Sequence, residues 1–167
     1  LLAATILPIY FNYIAGNQGL SDAQYLAYWG YAVSIATLLT ALAGPVFGTV
    51  ADTKGYKKPV FTIALGIGAI ASVALGFAKY WLIFLVVFVI AKVGYSVTLV
   101  FYDSMLVDVT SEERMDEVSS QGYAWGYIGS CVPFVICLLV VLNAGKLGMT
   151  METAMMISFI IITVWWV

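Results

Sequence analysis

The sequence predicts an all-α integral membrane protein of six helices, and two features of its composition indicate this class. Hydrophobic residues make up 63% of the 167 residues, and charged residues make up only 10%. Ordinary soluble domains contain about 45–50% apolar and about 25% charged residues. Seven Lys and Arg with nine Asp and Glu cannot cover this much apolar surface, so a soluble enzyme and a nucleic-acid-binding protein are excluded. The third observation is the spacing of the charges, which defines the helices.

The charged residues divide the chain into apolar segments of the length that a bilayer requires. A membrane helix needs about 20 predominantly apolar residues to cross a hydrocarbon core of about 30 Å. Most of the charges, together with clusters of Gly, Pro and Asn, fall between such segments. We expect one bundle of transmembrane helices and no separate soluble domain. The helices are expected over residues 1–15, 24–50, 59–78, 80–103, 118–142 and 153–167.

Both ends of the chain lie inside apolar stretches, so we expect an excerpt of a longer protein whose first and last helices are truncated. The loops indicate the orientation, because loops rich in Lys and Arg face the cytoplasm. The loops after helices 2 and 4 hold more of these residues than the opposite loops, and we expect them to be cytoplasmic. The loops after helices 2 and 4 hold Lys54, Lys57, Lys58 and Arg114. The opposite loops hold Lys79 and Lys146.

The chain lacks the residues that metal sites and acid–base catalysis most often use. It contains no His, and its two cysteines, Cys131 and Cys137, point away from each other on a helix. No pair of acids lies at mid-membrane depth, and no glycine loop is suited to hold phosphate. We therefore expect no catalytic residue, no metal site, no cofactor and no enzyme activity.

A short motif joins helices 2 and 3. It consists of Gly48, the acid Asp52 four residues later, a second glycine, Gly55, and then the basic pair Lys57 and Lys58. Gly48 allows helix 2 to end close to a neighbour, Gly55 permits a tight turn with positive φ, and Asp52 is placed to pair with a cation or a helix N-terminus. In spacing and location this run resembles the loop motif of the major facilitator superfamily. The resemblance implies that the chain is the six-helix N-terminal half of a twelve-helix fold.

The resemblance also implies a role for this loop. In the superfamily it latches the two halves of a transporter together on the cytoplasmic side. The sequence departs from the family pattern at Tyr56, where an Arg is usual, and its basic pair lies one place later. We therefore regard the motif residues as a gating loop.

The loop between helices 4 and 5 is rich in acids and resembles the equivalent loop of the superfamily. Arg114, which is the only Arg in the chain, is placed to pair with Asp52 or with an acid of its own loop. Asp103, near the cytoplasmic end of helix 4, is assigned to the same gating region. The residues from Thr110 to Glu113 have the pattern of a capping box that starts a short surface helix.

Further runs resemble one branch of the superfamily, the vacuole effluxers. They cover residues 6–11 in helix 1, residues 101–108 in helix 4 and residues 118–129 in helix 5. That branch groups autophagy-related vacuolar amino-acid exporters of fungi with bacterial permeases. The resemblance implies a secondary active transporter that moves a small solute, with amino acids as the expected cargo, by alternating access. The compact loops favour a bacterial plasma membrane over a vacuolar membrane.

Helix 4 carries one charge near its middle, Lys92, which is too far from either surface for its side chain to reach bulk water. A charge there costs at least about 2.5–3.5 kcal/mol, so it must face the protein interior or a wet cavity. Helical spacing puts Ser96 and Asp103 on the same face, with Tyr95 beside it. Asn12 is a further candidate, because the resemblance implies that helices 1 and 4 line the central cavity; the alternative role of Asn12 is a hydrogen bond between helices. Lys92 either binds an anionic group of the substrate or forms a structural ion pair with an acid outside this segment.

Two alternatives to this function stay open. The first is a sugar–cation symporter of the same superfamily, and the second is a membrane receptor or assembly subunit that uses the same scaffold without transport. The expected partners are a small-molecule substrate, a coupling proton or cation, membrane lipid and the C-terminal half of the same transporter. No acid lies at mid-membrane depth in this segment. A titrating carboxylate would therefore belong to the other half.

Overall fold

The structure, a computed structural model, describes residues 2–53 and 55–167. This part of the chain forms six long helices and no strand, which confirms the predicted all-α fold class. Short helical turns extend α3 and link α4 to α5 at Leu75–Phe77, Leu106–Val109 and Glu112–Arg114. The six helices are α1 (Leu2–Asn17), α2 (Asp22–Asp52), α3 (Lys57–Ala74), α4 (Trp81–Ser104), α5 (Met115–Leu142) and α6 (Met151–Trp166).

Several helices have the length and composition of membrane spans. Four stretches among the described residues are long and apolar enough to cross a bilayer, and α6 is a shorter apolar helix. The chain is therefore a multi-pass membrane protein. The four stretches are Asp22–Asp52, Lys57–Phe77, Trp81–Val109 and Glu112–Leu142.

The start of α2 is set by a capping box, and the helix begins two residues earlier than the expected range. Ser21 Oγ accepts a hydrogen bond from the backbone N–H of Gln24, and the side chain of Gln24 accepts one from the backbone N–H of Ser21. These two bonds satisfy N–H groups that would otherwise have no partner at the helix start.

The loop between α4 and α5 differs from the expectation. Thr110 does not start a helix, because its N–H bonds to the carbonyl of Leu106 and it ends the preceding turn. Ser111 precedes the next turn instead, and its side chain makes no capping hydrogen bond. The expected capping box from Thr110 to Glu113 is therefore wrong.

Helix α4 lies between α2 and α3, and the larger part of the core lies at one end of the bundle. We call this end, where α1 connects to α2 and α3 to α4, the aromatic end. The ring of Phe84 in α4 is fully buried and lies 5.6 Å from the ring of Tyr10 and 5.9 Å from that of Phe11. Phe159 of α6 closes the cluster, with its ring 6.1 Å from that of Tyr10. The aromatic end thus joins α1, α4 and α6 through ring contacts.

The opposite end, where α2 connects to α3 and α4 to α5, we call the basic end. Its buried core is small and consists of Ala51, Ala64, Val97 and Phe101. In the first half of α5, residues 121–128 are all exposed. Less apolar surface is therefore buried at the basic end than at the aromatic end.

Candidate functional site

The predicted binding residues of α4 form a stripe along one face of the helix. Lys92 lies in the middle of α4, about 16 Å from either end of the helix, and its side chain is half-buried. Its Nζ lies 5.7 Å from the centroid of the Tyr95 ring, within the range of a cation–π contact. No carboxylate among the described residues pairs with it. Among the described residues, Lys92 therefore contacts an aromatic ring and no acid.

Tyr95 links this lysine to α6. The Tyr95 side chain is 41% exposed, and its ring centroid lies 5.6 Å from that of Trp166 at an angle of 59°. Ser96, one turn from Lys92, is half-buried on the same face. The structure thus brings Lys92, Tyr95 and Ser96 together, as the sequence predicts. It adds Trp166, which the sequence analysis missed because nothing in helical spacing relates residues of α4 and α6.

Asn12 is not joined to this group. It lies on the exposed side of α1, opposite the buried rings of Tyr10 and Phe11, and no hydrogen bond among the described residues connects it to Lys92. Its assignment to the binding site stays a prediction.

Asp103 lies nearer the basic end of the same α4 face and has a partner on α5. The hydroxyl of Tyr123 donates to the Asp103 carboxylate, with oxygen–oxygen distances of 3.2 and 3.4 Å. Both side chains are exposed. This pair is a polar connection between the exposed start of α5 and the rest of the bundle. No pattern in the sequence indicates Tyr123 as the partner of Asp103.

The loop between α2 and α3 has the turn that its glycine predicts. Gly55 adopts φ of +90°, a conformation that residues with a Cβ rarely adopt. The turn places Lys57 at the start of α3 against the end of α4. Lys57 Nζ donates to the carbonyl of Ser104 at 3.0 Å and to the carboxylate of Asp108 at 2.8 Å. A cation at the C-terminal end of a helix is electrostatically favourable, so Lys57 stabilises the end of α4.

The other gating residues make weaker contacts. A Cβ at Gly48 would meet no atom within 4 Å among the described residues, so the expected close approach of helix 2 to a neighbour at Gly48 is wrong for this part of the chain. Asp52, the last residue of α2, and Lys58 are exposed. Arg114 pairs with Glu117, in the first turn of α5, rather than with Asp52, and its Nε lies 3.4 Å from the Glu117 carboxylate.

Asp108 is the main residue at the basic end that the sequence analysis left unassigned. The sequence contains a feature that could have indicated this residue. Asp108 follows a span by only a few residues and lies in a loop on the same side as Lys57. The two spans between these loops predict that both lie on one side of the membrane, but this does not indicate which acid faces which base.

A second cross-connection lies at the aromatic end and had no sequence signal. The side-chain amide of Gln18, in the connection from α1 to α2, donates to the carbonyl of Lys79 at 2.6 Å. Its oxygen accepts a hydrogen bond of 3.4 Å from the backbone N–H of Trp81, the first residue of α4. Tyr80, which precedes the helix, supplies no capping side chain. Gln18 therefore serves as a cap for α4 from another part of the chain.

Two surface grooves are apolar and lie away from the predicted site. A groove of about 320 Å³ lies between α2, α3 and α4, and a groove of about 460 Å³ lies between α3 and α6. Neither is lined by Lys92, Tyr95 or Ser96. The polar chemistry of the described residues lies on the α4 face and at the two helix-end connections instead.

The profile of the Major Facilitator Superfamily matches residues 1–167. The chain belongs to the major facilitator superfamily. Its apolar helices and its loop motif between α2 and α3 are therefore those of a superfamily member. No solved structure matches the chain.

Two curated proteins that are similar to this chain are bacterial. The chain is 37% identical over 169 residues to the uncharacterized MFS-type transporter YxiO of Bacillus subtilis, covering 99% of this chain and 40% of the relative. It is 38% identical over 79 residues to the multidrug resistance protein MdtG of Proteus mirabilis, covering 47% of this chain and 18% of that relative. The chain thus spans less than half the length of either relative.

Proposed function

We propose that this chain is the N-terminal half of a secondary active transporter that moves a small anionic or zwitterionic solute by alternating access. The observation that carries the proposal is Lys92, a charge in the middle of an apolar helix without a carboxylate partner among the described residues. Ionisable residues inside a membrane are costly and usually serve transport or proton transfer.

The surroundings of Lys92 favour substrate binding over a structural ion pair. Its ammonium group contacts the face of the Tyr95 ring, which leaves its hydrogen-bond donors available. Ser96, one helical turn away, adds a hydroxyl that both donates and accepts. A carboxylate bound at Lys92 would gain a charge-assisted hydrogen bond, the stronger kind of hydrogen bond in a low-dielectric site. Asn12 of α1 would contact the same solute from across the cavity.

The basic end supports the alternating-access part of the proposal. Asp52 ends α2, where the helix dipole disfavours a negative charge, and no ion pair among the described residues offsets it. A cation or a helix N-terminus of the C-terminal half would offset it in one state and release it in the other. Gly48, Gly55, Lys58, Arg114 and Asp103 belong to the same gating region, and Lys57 holds the loop against α4.

Amino acids are the proposed cargo, in a bacterial plasma membrane. The cargo rests on the resemblance of residues 101–108 and 118–129 to the vacuole-effluxer branch and on the cation at Lys92, which fits an α-carboxylate. The location is supported by the bacterial origin of both relatives. A proton or cation would supply the coupling, with lipid surrounding the bundle.

Flux into proteoliposomes tests the proposal directly. The intact protein is reconstituted, and uptake of a mixture of radiolabelled amino acids is followed with and without a pH gradient. We expect uptake above empty liposomes and a loss of at least about tenfold in apparent affinity for Lys92→Met, since a charge-assisted hydrogen bond contributes about 1.5–3 kcal/mol. Lys92→Arg should retain part of the affinity because it keeps the charge.

The matched control is Lys79→Met, which removes a lysine from an exposed connection and should leave uptake unchanged. Wild-type affinity in Lys92→Met would exclude Lys92 as the substrate-binding residue. Absence of flux for amino acids, and for sugars tested in the same way, would favour the receptor or assembly role.

Export of drug-like compounds is a second candidate, favoured by the similarity of 79 residues to the multidrug resistance protein MdtG. The dye ethidium is a lipophilic cation, which a positive charge at Lys92 would repel. The same proteoliposomes, loaded with the dye ethidium, distinguish the two candidates. Dye efflux that Lys92→Met leaves intact would favour the drug exporter, and amino-acid uptake that depends on Lys92 would favour the first proposal.

A further inference from the structure

The face of α3 that meets α6 contains a glycine on which an indole ring rests. Gly68 is buried, and a Cβ added there would lie 2.5 Å from Cη2 and 3.0 Å from Cζ3 of Trp166. Real Cβ atoms do not approach other heavy atoms this closely, so only glycine leaves room for the ring in this position. The third neighbour of such a Cβ, the backbone nitrogen of Tyr95, would lie at an ordinary 3.6 Å. The fit at Gly68 is therefore specific to Trp166.

The same point is where α3 and α4 cross. A Cβ added at Gly94 would lie 3.1 Å from Cα and 3.3 Å from the backbone nitrogen of Gly68. Two glycines thus allow the backbones of α3 and α4 to approach closely. Gly94 precedes Tyr95 and follows Lys92 by two residues, so the crossing fixes the part of α4 that carries the predicted binding residues.

Trp166 connects this crossing to the charge. Its ring lies against Tyr95, with centroids 5.6 Å apart, and the face of Tyr95 carries the ammonium group of Lys92 at 5.7 Å. Three successive contacts therefore run from Gly68 to Trp166, then to Tyr95, and then to Lys92. Tyr95 is 41% exposed. Without the indole its ring would lose the packing partner that Trp166 provides.

We infer that Trp166 is a positioning residue for Lys92, and that Gly68 is the socket that makes this possible. The indole, held on Gly68, fixes the orientation of the Tyr95 ring, and the ring holds the lysine ammonium group in the position from which it would bind the proposed substrate. The inference rests on the proposed function in one respect, the role of Lys92 in binding. It goes beyond that function because it assigns a role to two residues on helices α3 and α6 that do not contact the substrate.

A charge reporter next to Lys92 tests the inference without any knowledge of the cargo. Ser96→Cys is introduced into the intact protein together with Cys131→Ser, which removes the exposed native thiol. The rates of modification by the anionic reagent methanethiosulfonate ethylsulfonate and by its cationic trimethylammonium analogue are compared in membrane vesicles. Residues four apart on a helix lie about 6 Å from each other, so the ammonium group of Lys92 raises the anion-to-cation ratio by about five- to tenfold. Lys92→Gln gives the ratio without the charge.

Gly68→Ala should lower this ratio at least halfway towards the Lys92→Gln value, because the new methyl group displaces the indole and frees the Tyr95 ring. Gly68→Ala combined with Trp166→Phe should restore the ratio, because phenylalanine lacks the two ring atoms that the methyl group would meet. Trp166→Ala alone should lower the ratio as Gly68→Ala does. An unchanged ratio in both Gly68→Ala and Trp166→Ala would overturn the inference.

Two glycines serve as matched controls. A Cβ at Gly66 meets no atom within 4 Å, so Gly66→Ala should leave the ratio unchanged. Gly94→Ala meets the backbone of Gly68, and Trp166→Phe should therefore not rescue it. If Trp166→Phe rescued Gly94→Ala equally well, the effect would be a general loosening of the bundle and the inference would be wrong. Fluorescence-detected size-exclusion chromatography establishes that each variant is folded.

The flux assay separates this inference from the proposed function. With a transported amino acid, Gly68→Ala should raise KM severalfold and change kcat little, and the second substitution Trp166→Phe should reverse the change in KM. If the reporter ratios follow the expected pattern but Lys92→Met leaves flux unchanged, the binding role of Lys92 is refuted and the positioning of its charge stands. If Lys92→Met lowers flux but the reporter ratios do not follow the expected pattern, the positioning alone is refuted.

Discussion

The aromatic end and the basic end of the bundle are held together in different ways. At the aromatic end, fully buried rings from α1, α4 and α6 pack against one another, with Phe84 at the centre. At the basic end the buried core is small, and side chains that are wholly or partly exposed connect the helices, namely Lys57 with Asp108 and Tyr123 with Asp103. One end is therefore stabilised by packing and the other mainly by polar contacts.

The proposed alternating-access function predicts such a difference, because its ends would open and close. Ring packing is lost only if a cavity forms, which is costly in a close-packed interior. An exposed polar contact exchanges one partner for another or for water at low cost. We therefore expect the helices to stay packed together at the aromatic end and to exchange polar partners at the basic end. Four predictions test this comparison, taken from the largest expected effect on stability to the smallest.

Phe84→Ala should destabilise the protein most, by about 3 kcal/mol, because it leaves a cavity among Tyr10, Phe11 and their neighbours. Thermal unfolding of the intact protein in detergent, followed by circular dichroism, measures the loss. Phe77→Ala is the matched control, because Phe77 is 68% exposed and its removal leaves no internal cavity. Equal losses in the two variants would contradict the view that packing holds the aromatic end.

Gln18→Ala should cost about 1–2 kcal/mol, because it removes a donor to the Lys79 carbonyl and the acceptor for the Trp81 N–H at the start of α4. Hydrogen exchange at the first turn of α4 should become faster, which mass spectrometry measures on the intact protein. Asn17→Ala, one residue away and also exposed, is the control. Unchanged exchange in Gln18→Ala would mean that the rings alone fix the start of α4.

Lys57→Gln and Asp108→Asn test the strongest connection at the basic end. A double-mutant cycle on unfolding should give a coupling of about 1 kcal/mol, because the pair is partly exposed at its acid. The effect on flux should exceed the effect on stability, with a change in uptake rate of severalfold. Lys58→Gln, at the neighbouring exposed lysine, controls for the loss of charge alone. A coupling as large as the loss in Phe84→Ala would remove the distinction between the two ends.

Arg114→Gln should change stability by less than about 0.5 kcal/mol, because Arg114 and Glu117 are 67% and 57% exposed and 3.4 Å apart. Its effect is therefore expected on transport alone, where Arg114 would act as a gating residue with the C-terminal half. Unfolding and flux are measured on the same preparation. A stability loss above 1 kcal/mol, on the scale of typical single substitutions, would show that the pair contributes to the fold.

The candidate site could be predicted from the sequence only where its residues share one helix. Lys92, Tyr95 and Ser96 lie together because residues three and four apart share a helix face. The partners from other helices were missed, and they are Asp108 for Lys57, Tyr123 for Asp103, and Trp166 for Tyr95. The expected close approach at Gly48 was wrong for the described residues, because a small residue permits close packing but does not require it.

The sequence by itself determined the membrane class, the all-α fold, the turn at Gly55 and the position of one charge in the middle of α4. These are local properties, because a bilayer requires about 20 apolar residues for each span. A charge within a span is costly, so its position is visible in the sequence alone. Only the tertiary structure decided which helix faces meet. Helices that are apolar on all sides carry no periodic signal of their buried face. Their neighbours are therefore chosen by shape, as in the fit of Trp166 on Gly68, and by contacts between distant residues such as Gln18 and Trp81.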